Sequence, residues 1–301
     1  MANSNGWGDG AANNAIGWGQ GANNNIGWGD SHAKSWAGAT DIVGLTTDAD
    51  AQAFITAAAI TDATQQTAID TLVKGMKADG TWTKMKAIYP FVGGTATTHK
   101  YNLKDPRDLD AAFRLVFNGG WTHSSTGATP NGTNGYADTK LNASTVLTKT
   151  NHHISYYGRT QTNAGNTWDM GSQNSPNDSL LSLYFAGVSL KGFLSGAFPT
   201  NFASSASTNT LGLHIGVETS STNSKLYQNS TLLATNNTLN STTFANIPMY
   251  LGAANIVGVG GGNYSTRQCA FSTIGDGLTD TDATNLYTRV QAFQTSLSRQ
   301  V

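Results

Sequence analysis

A mainly β chain, folded as a sandwich or jelly roll behind a short helical segment and an extended N-terminal anchor, is predicted by three observations. From Trp82 onward, apolar residues recur in short runs with the two-residue period of half-buried strands, as in Leu211–Glu218 and Gln268–Ile274. Asn, Gly and Ser punctuate these runs as turn formers, while helical periodicity is confined to residues 48–78 and to the C-terminal end. Charged residues make up only 12% of the 301, with Asn, Thr, Ser and Gly in their place, which describes a polar and weakly charged surface.

Residues 1–44 form the anchor. Gly6-Trp7-Gly8, Gly17-Trp18-Gly19 and Gly27-Trp28-Gly29 are set in Asn, Ala and Gly, and residues 13–19 are echoed by 23–29. Each Trp buries roughly 150–250 Å², which at about 25 cal/mol per Å² is roughly 4–6 kcal/mol gross. Within residues 1–34, Ile16, Ile26, Met1 and a few Ala are the only apolar company, so the segment cannot bury its own rings and another surface must supply the pockets. Trp7, Ile16, Trp18, Ile26, Trp28 and Trp36 are therefore the candidate partner-binding residues. The flanking glycines let the backbone press close against that partner.

Residues 45–80 read as two helices forming a neck. Phe54, Ile55 and Ala58 share a face of the first; the second opens at Asp62 with Gln65 three positions on, a capping-box arrangement. Ile69, Leu72, Val73 and Met76 make one apolar stripe, and Asp79-Gly80 ends it. Residues 81–301 form the sandwich. Strands are expected at Met85–Val92, Ala112–Phe117, Val146–Leu147, His153–Arg159, Leu180–Phe185, Leu211–Glu218, Ser224–Gln228, Met249–Ala253 and Gln268–Ile274, with a hairpin turning at Asn229-Ser230. A last helix runs from Thr281 to Arg299, capped by Asp280 or Thr281, with Leu286, Val290, Phe293 and Leu297 inward.

Composition and motif spacing exclude several kinds of function. A net charge of −1 without a Lys/Arg cluster argues against nucleic acid, whose binding rests on phosphate neutralisation. Cys269 is the only cysteine, so no intrachain disulfide forms and synthesis in a reducing cytoplasm is expected, with Cys269 a small buried hydrophobe. The N-terminus has no secretory pattern, and the longest apolar stretch, Ile247–Val259, is too short for a membrane helix. Asp105, Asp108, Asp276, Asp280 and Asp282 sit where caps and turns want them. His152 and His153 alternate to opposite faces, while His99, His123 and His214 stand isolated, so no metal site and no cofactor are expected. No Gly-x-Ser-x-Gly elbow occurs, and Gly258–Gly262 reads as a wide turn rather than a phosphate loop.

Trp121, His123, Tyr136 and Trp168 lie in or beside Asn/Gly-rich loops, and aromatic faces with amides nearby are what a glycan surface requires. They are the candidate glycan-binding residues, although each also suits a core, Trp168 above all.

Residues 255–301, and especially Arg267–Tyr287, resemble the closing segment of concanavalin A-like (laminin G-type) sandwiches. Glycoside hydrolases with that sandwich resemble one another in a Glu-x-Asp-x-x-Glu strand, and here the one Glu, Glu218, is followed by Thr-Ser-Ser-Thr-Asn, so the motif is absent and no enzyme is expected. The whole layout is similar to virion structural proteins of tailed phages, including crAss-like phages. The Gly-Trp-Gly-rich start before Asp41-Ile-Val-Gly44, and Lys84–Gly94 through Tyr101–Pro106, carry that similarity. The resemblance implies a head fibre or capsid-decoration subunit, made in the host cytoplasm and docked to the capsid or other virion proteins by residues 1–44. A homotrimer displaying the sandwich outward, or a receptor- or glycan-binding fibre tip, would fit the same layout.

Overall fold

The computed structural model describes residues 46–161, 165–174, 178–186, 190–197, 199–206, 209–240 and 242–301. The chain divides into two compact units, Met1–Thr47 and Asp48–Val301, and every element below belongs to the second. The anchor residues Trp7, Ile16, Trp18, Ile26, Trp28 and Trp36 lie outside the described residues.

Helices α1 (Ala49–Ala57) and α2 (Ala63–Ala78) come first, capped by Asp48 and Asp62, whose carboxylates accept the N–H groups of Asp50 and Gln65. The capping box expected at Asp62 is only half formed. Gln65 Oε1 accepts instead from the Gly93 N–H at 2.8 Å, tying α2 to a loop of the sandwich. Strand β1 (Met85–Tyr89) follows, then the one-turn helix α3 (Ala96–His99), β2 (Val116–Asn118), β3 (Trp121–Ser124), β4 (Gly127–Pro130), β5 (Tyr136–Asn142) and the one-turn helix α4 (Ala143–Val146). Next are β6 (His152–Gly158), β7 (Thr167–Asn174), β8 (Asp178–Ala186), β9 (Leu190–Gly196), β10 (Phe202–Ser205), β11 (Gly212–Ser220), β12 (Asn223–Gln228) and β13 (Thr231–Asn236). The chain closes with β14 (Pro248–Leu251), β15 (Ala254–Ile256), β16 (Gly260–Gly262), β17 (Cys269–Gly275) and helix α5 (Asp280–Ser296).

Among the described residues the strands form two sheets. The first, eight-stranded, runs β13-β12-β11-β6-β17-β4-β3 with β1 added on β17; the second, nine-stranded, runs β10-β9-β8-β7-β14-β5-β2 with β15 and β16 beside β7. Between them lie Ile154, Tyr156, Met170, Leu181, Leu183, Phe193, Leu226, Met249 and Leu251, which is the inter-sheet core. Gly216 admits the Phe193 ring from the opposite sheet, since a Cβ there would come within 2.0 Å of it. The mainly β sandwich class is thus observed.

Alternation sends the neighbours of those residues to the other face of the first sheet. There Tyr157, Leu213, Ile215, Val217 and Phe271 share one buried cluster with Phe54, Ile69, Leu72, Val73 and Met76 of the first two helices and with Leu286, Val290 and Phe293 of α5. Helices α1 and α2 therefore pack on the sheet and do not stand apart as a neck. Their apolar stripe has no partner within its own hairpin wide enough to cover it, and it is buried on the sheet together with α5. Arg289 pairs with Asp79 at 2.7 Å across the two helices.

Other expectations shift locally. In Ala112–Phe117 a short 3-10 turn over Asp110–Ala112 and a left-handed Phe113 (φ 59°) delay the strand to Val116. Val146 closes α4 rather than starting a strand, because Asn142 caps that turn by accepting from the Ser144 N–H. Thr279, not Asp280 or Thr281, caps α5, and Asp282 returns the bond to complete a capping box. Gly258–Gly262 is part of the β15–β16 hairpin. The hairpin at Asn229-Ser230 forms as expected, with Asn229 at φ 57°.

Because the helical layer and the sheet share one core, Leu72→Ala is expected to destabilise the whole sandwich by about 2–5 kcal/mol. Urea unfolding followed by near-ultraviolet circular dichroism checks this, and separate transitions for helices and sheets would contradict the shared core.

Candidate functional site

The helices cover one outer face of the sandwich, and among the described residues none packs on the other. That open face belongs to the nine-stranded sheet. In β8, Leu181 and Leu183 point inward, so Leu180 and Tyr184 point out; in β14, Met249 and Leu251 point inward, so Tyr250 points out. Ala137 and Leu141 do the same in β5, leaving Tyr136 outward.

Trp168, Leu180 and Leu194 form a small cluster on this face, with Tyr184, Phe202 and Ile256 half-buried around it. Beside them opens a cleft of about 260 Å³ lined by Asn166, Trp168, Gln173, Leu180, Tyr184, Leu194 and Asn263. Tyr184 Oη donates to Asn166 Oδ1 at 2.8 Å, and its ring stands edge-on to Trp168 with centroids 6.4 Å apart. The backbone N–H of Trp168 donates to the Asn263 carbonyl at 2.8 Å, which fixes the far wall. No side chain of this lining carries a charge.

A β-bulge decides which way Trp168 faces. Trp168 pairs with Tyr184 and Met170 with Leu183, so Asp169 is the extra residue. Its carboxylate turns inward and pairs with Arg267, both side chains being fully buried, and accepts from Ser265 Oγ at 3.1 Å. Arg267 also donates to the carbonyls of Thr160 and Thr210 and lies 4.1 Å above the Phe185 ring. The Trp168 ring lies over Gly171, where a Cβ would come within 2.9 Å of Trp168 Cε3.

Of the four glycan candidates, the structure places Tyr136 and Trp168 on the open face and the other two elsewhere. Tyr136 stacks on Tyr250 at 4.3 Å. Trp121 plugs the rim of the inter-sheet core, edge-on to Phe117 at 5.3 Å and above Gly252. His123 is not isolated. Its Nδ1 meets His99 Nδ1 at 2.9 Å and its ring packs on Phe117, with burial lowering the pKa of both imidazoles, that of His99 to about 3. Asn166, Gln173, Tyr184, Tyr250 and Asn263 were not singled out from the sequence. For Tyr184 the signal was present, since alternation within the expected strand Leu180–Phe185 puts it opposite Leu183.

A further set of titratable groups is interior. Glu218 is buried between the sheets, accepting from Ser224 Oγ at 3.0 Å and from Asn240 Nδ2 at 3.1 Å, and burial raises its carboxyl pKa. Ser195 bridges Lys149 at 3.0 Å and His152 Nε2 at 3.1 Å. His152 and His153 take opposite faces, with pKa values lowered by burial to about 3 and about 4, and burial lowers that of His214 further. No group of three or more metal-ligating side chains occurs among the described residues. No helix among them is long and apolar enough to cross a membrane.

No family model matches the sequence, and no curated protein does. Among solved structures, a mutant of Trypanosoma rangeli sialidase displaying trans-sialidase activity superposes with a TM-score of 0.51 at 12% identity, covering 76% of this chain and 39% of that one. Domain 4 of an extracellular arabinanase from Geobacillus stearothermophilus, in complex with arabinotriose, gives 0.45 at 16% identity over 67% and 98%. The binding domain of a botulinum neurotoxin in complex with rat synaptotagmin II gives 0.45 at 11% over 70% and 52%. At these identities the likeness is one of fold. The chain spans well under half the length of the sialidase.

Asp169→Ala strands the Arg267 charge in the interior and is expected to cost about 3–5 kcal/mol. Differential scanning calorimetry reads the loss, and a variant as stable as the parent would contradict the pairing. The buried imidazoles set a pH dependence. His99, His152, His153 and His214 stay neutral when folded but take up protons below about 6.5 when unfolded, so stability is full above that pH and falls as pH drops toward about 4, by up to about 1.4 kcal/mol per unit for each ring. Asp169 and Glu218 oppose this, because burial raises both carboxyl pKa values, that of Asp169 to about 6, and the four rings outnumber them. Urea midpoints across that window measure it; a flat profile would contradict it.

Proposed function

We propose that this chain is a non-enzymatic binding protein whose sandwich takes a saccharide in the cleft of its open face, and which is fixed to a tailed-phage virion by its N-terminal Trp repeat. The observation that carries the binding half is the lining of the cleft. Tyr184 offers a half-exposed ring to the apolar side of a sugar, over a floor formed by the buried Trp168, Leu180 and Leu194, while the amides of Asn166, Gln173 and Asn263 offer donors and acceptors to its hydroxyls. Such a cleft holds and orients a ligand. It has no pair of carboxylates to protonate a leaving group or activate water, which supports binding without turnover.

Attachment is supported by the sequence of residues 1–44. Three Trp residues at spacings of 11 and 10, without apolar neighbours to cover them, call for a partner with its own repeated pockets. A capsid surface built from identical subunits offers such a repeat, and the resemblance of the layout to phage fibre and decoration proteins points the same way.

Trp168→Ala is expected to lower saccharide affinity at least tenfold on a glycan array and in calorimetry while the thermal transition stays cooperative. Binding equal to the parent would remove the cleft from the function. Deletion of residues 2–34 is expected to leave the sandwich folded and to abolish incorporation into particles, scored by immunoblot of purified virions; normal incorporation would remove the anchor.

A further inference from the structure

The open face carries a second aromatic group beyond the cleft. Tyr136 and Tyr250 stack face to face, and Tyr250 is a direct cross-strand partner of Gly171, the residue on which the Trp168 ring rests. Tyr264 extends the group. It lies close enough to Tyr250 to act on its hydroxyl electrostatically, follows Asn263, whose carbonyl accepts from the Trp168 backbone N–H, and its own hydroxyl donates to the Gly261 carbonyl at 2.9 Å. On the other side of the cleft, Tyr184 stands 6.0 Å from Phe202, whose ring lies over Gly192. All five rings other than Trp168 are half-buried, with one side against the sheet and part of the surface free.

Strand register sets these groups in two neighbouring rows, with Tyr184 partnered by Trp168 and Gly192 in one and Tyr250 and Phe202 in the other. Asp138, Tyr250, Gly171, Ser182, Leu194 and Phe202 are successive cross-strand partners over β5, β14, β7, β8, β9 and β10. Tyr250 and Tyr184 are two strand spacings apart, about 10 Å. A single sugar ring does not span both. The charges along the row cancel, since Asp138 pairs with Lys140 at 3.0 Å and the cleft itself is uncharged.

From this arrangement we infer that the ligand is an uncharged linear oligosaccharide lying across β14, β7 and β8, held in the Trp168–Tyr184 cleft and, further along, on the Tyr136–Tyr250–Tyr264 group. This rests on the saccharide reading of the cleft. Stacking on successive rings contributes per sugar unit, so affinity grows with chain length until the rows are filled. An anionic sugar gains nothing here, because no unpaired cation among the described lining residues is placed to meet it.

Calorimetric titration of the full chain with neutral gluco-, xylo-, arabino- and galacto-oligosaccharides of one to six units tests it, with a sialylated oligosaccharide as the anionic probe. For the recognised series, affinity is expected to rise at least tenfold from the shortest binding member to the longest. Tyr250→Ala and, independently, Tyr136→Ala are expected to bring that ratio close to one, each variant being checked for an unchanged cooperative thermal transition. Affinity that does not change with length, a length gain that survives both substitutions, or preference for the sialylated probe overturns the inference while leaving the cleft as a sugar site. Absence of binding to every oligosaccharide overturns the saccharide reading of the cleft, and this inference with it.

Discussion

The buried pair of Asp169 and Arg267 is the interaction on which the rest of this molecule turns. Arg267 precedes β17 of the first sheet and Asp169 is the bulged residue of β7 in the second, so one contact spans the sandwich. Two charges in a dry interior are tolerable only when nearly every donor finds an acceptor, and Arg267 meets Asp169, Thr160 and Thr210 while lying on the Phe185 ring. Room for the guanidinium comes from Gly158, where a Cβ would approach within 2.1 Å of it. By drawing Asp169 inward, the pair reverses the alternation of β7 and leaves Trp168 on the open face beside Tyr184. The same contact therefore joins the sheets and aims the ring that walls the cleft.

A second constraint is the unequal treatment of the two outer faces. The first sheet presents Leu213, Ile215, Val217 and Phe271 outward and needs a cover, which α1, α2 and α5 supply. The C-terminal end is pinned by Arg299, fully enclosed, which donates to the carbonyls of Pro90, Phe91 and Ala270 and to Gln294 Oε1. Burial lowers its pKa to about 9. The second sheet presents Gly, Ser and half-buried aromatics around a small buried cluster instead, and among the described residues no helix covers it.

Two of the strands missing from the sequence reading, β7 and β9, share a physical cause. In β7, Thr-Trp-Asp-Met-Gly-Ser-Gln-Asn breaks the apolar alternation because Asp169 is buried by pairing and Gly171 is there to seat a ring. In β9, Lys191 reaches across the sandwich to Gln228 and the Asn209 carbonyl, and Gly192 lies under Phe202, so again a buried strand reads as a loop. The pairing of His99 with His123 was equally invisible, since the two lie on a one-turn helix and an edge strand that only the fold brings together. Of the site, Trp168 and Tyr136 were legible as aromatics among amides, whereas their separation from Trp121 was not, because rim and face differ only in which sheet a strand joins.

By itself the sequence determined the mainly β class, the amphipathic stripes of α1, α2 and α5, the hairpin at Asn229-Ser230, the solitary Cys269 and the opposite faces of His152 and His153. Each follows from periodicity or local backbone preference, which neighbouring residues settle among themselves. Only the tertiary structure decided that the helices roof one sheet, that Asp169 and Arg267 bond across the sandwich, and that Trp168, Tyr184 and Tyr250 share an open face. Those outcomes depend on strand order and register between segments far apart in the chain, and a buried polar residue shows its partner only once the two sheets have closed over it.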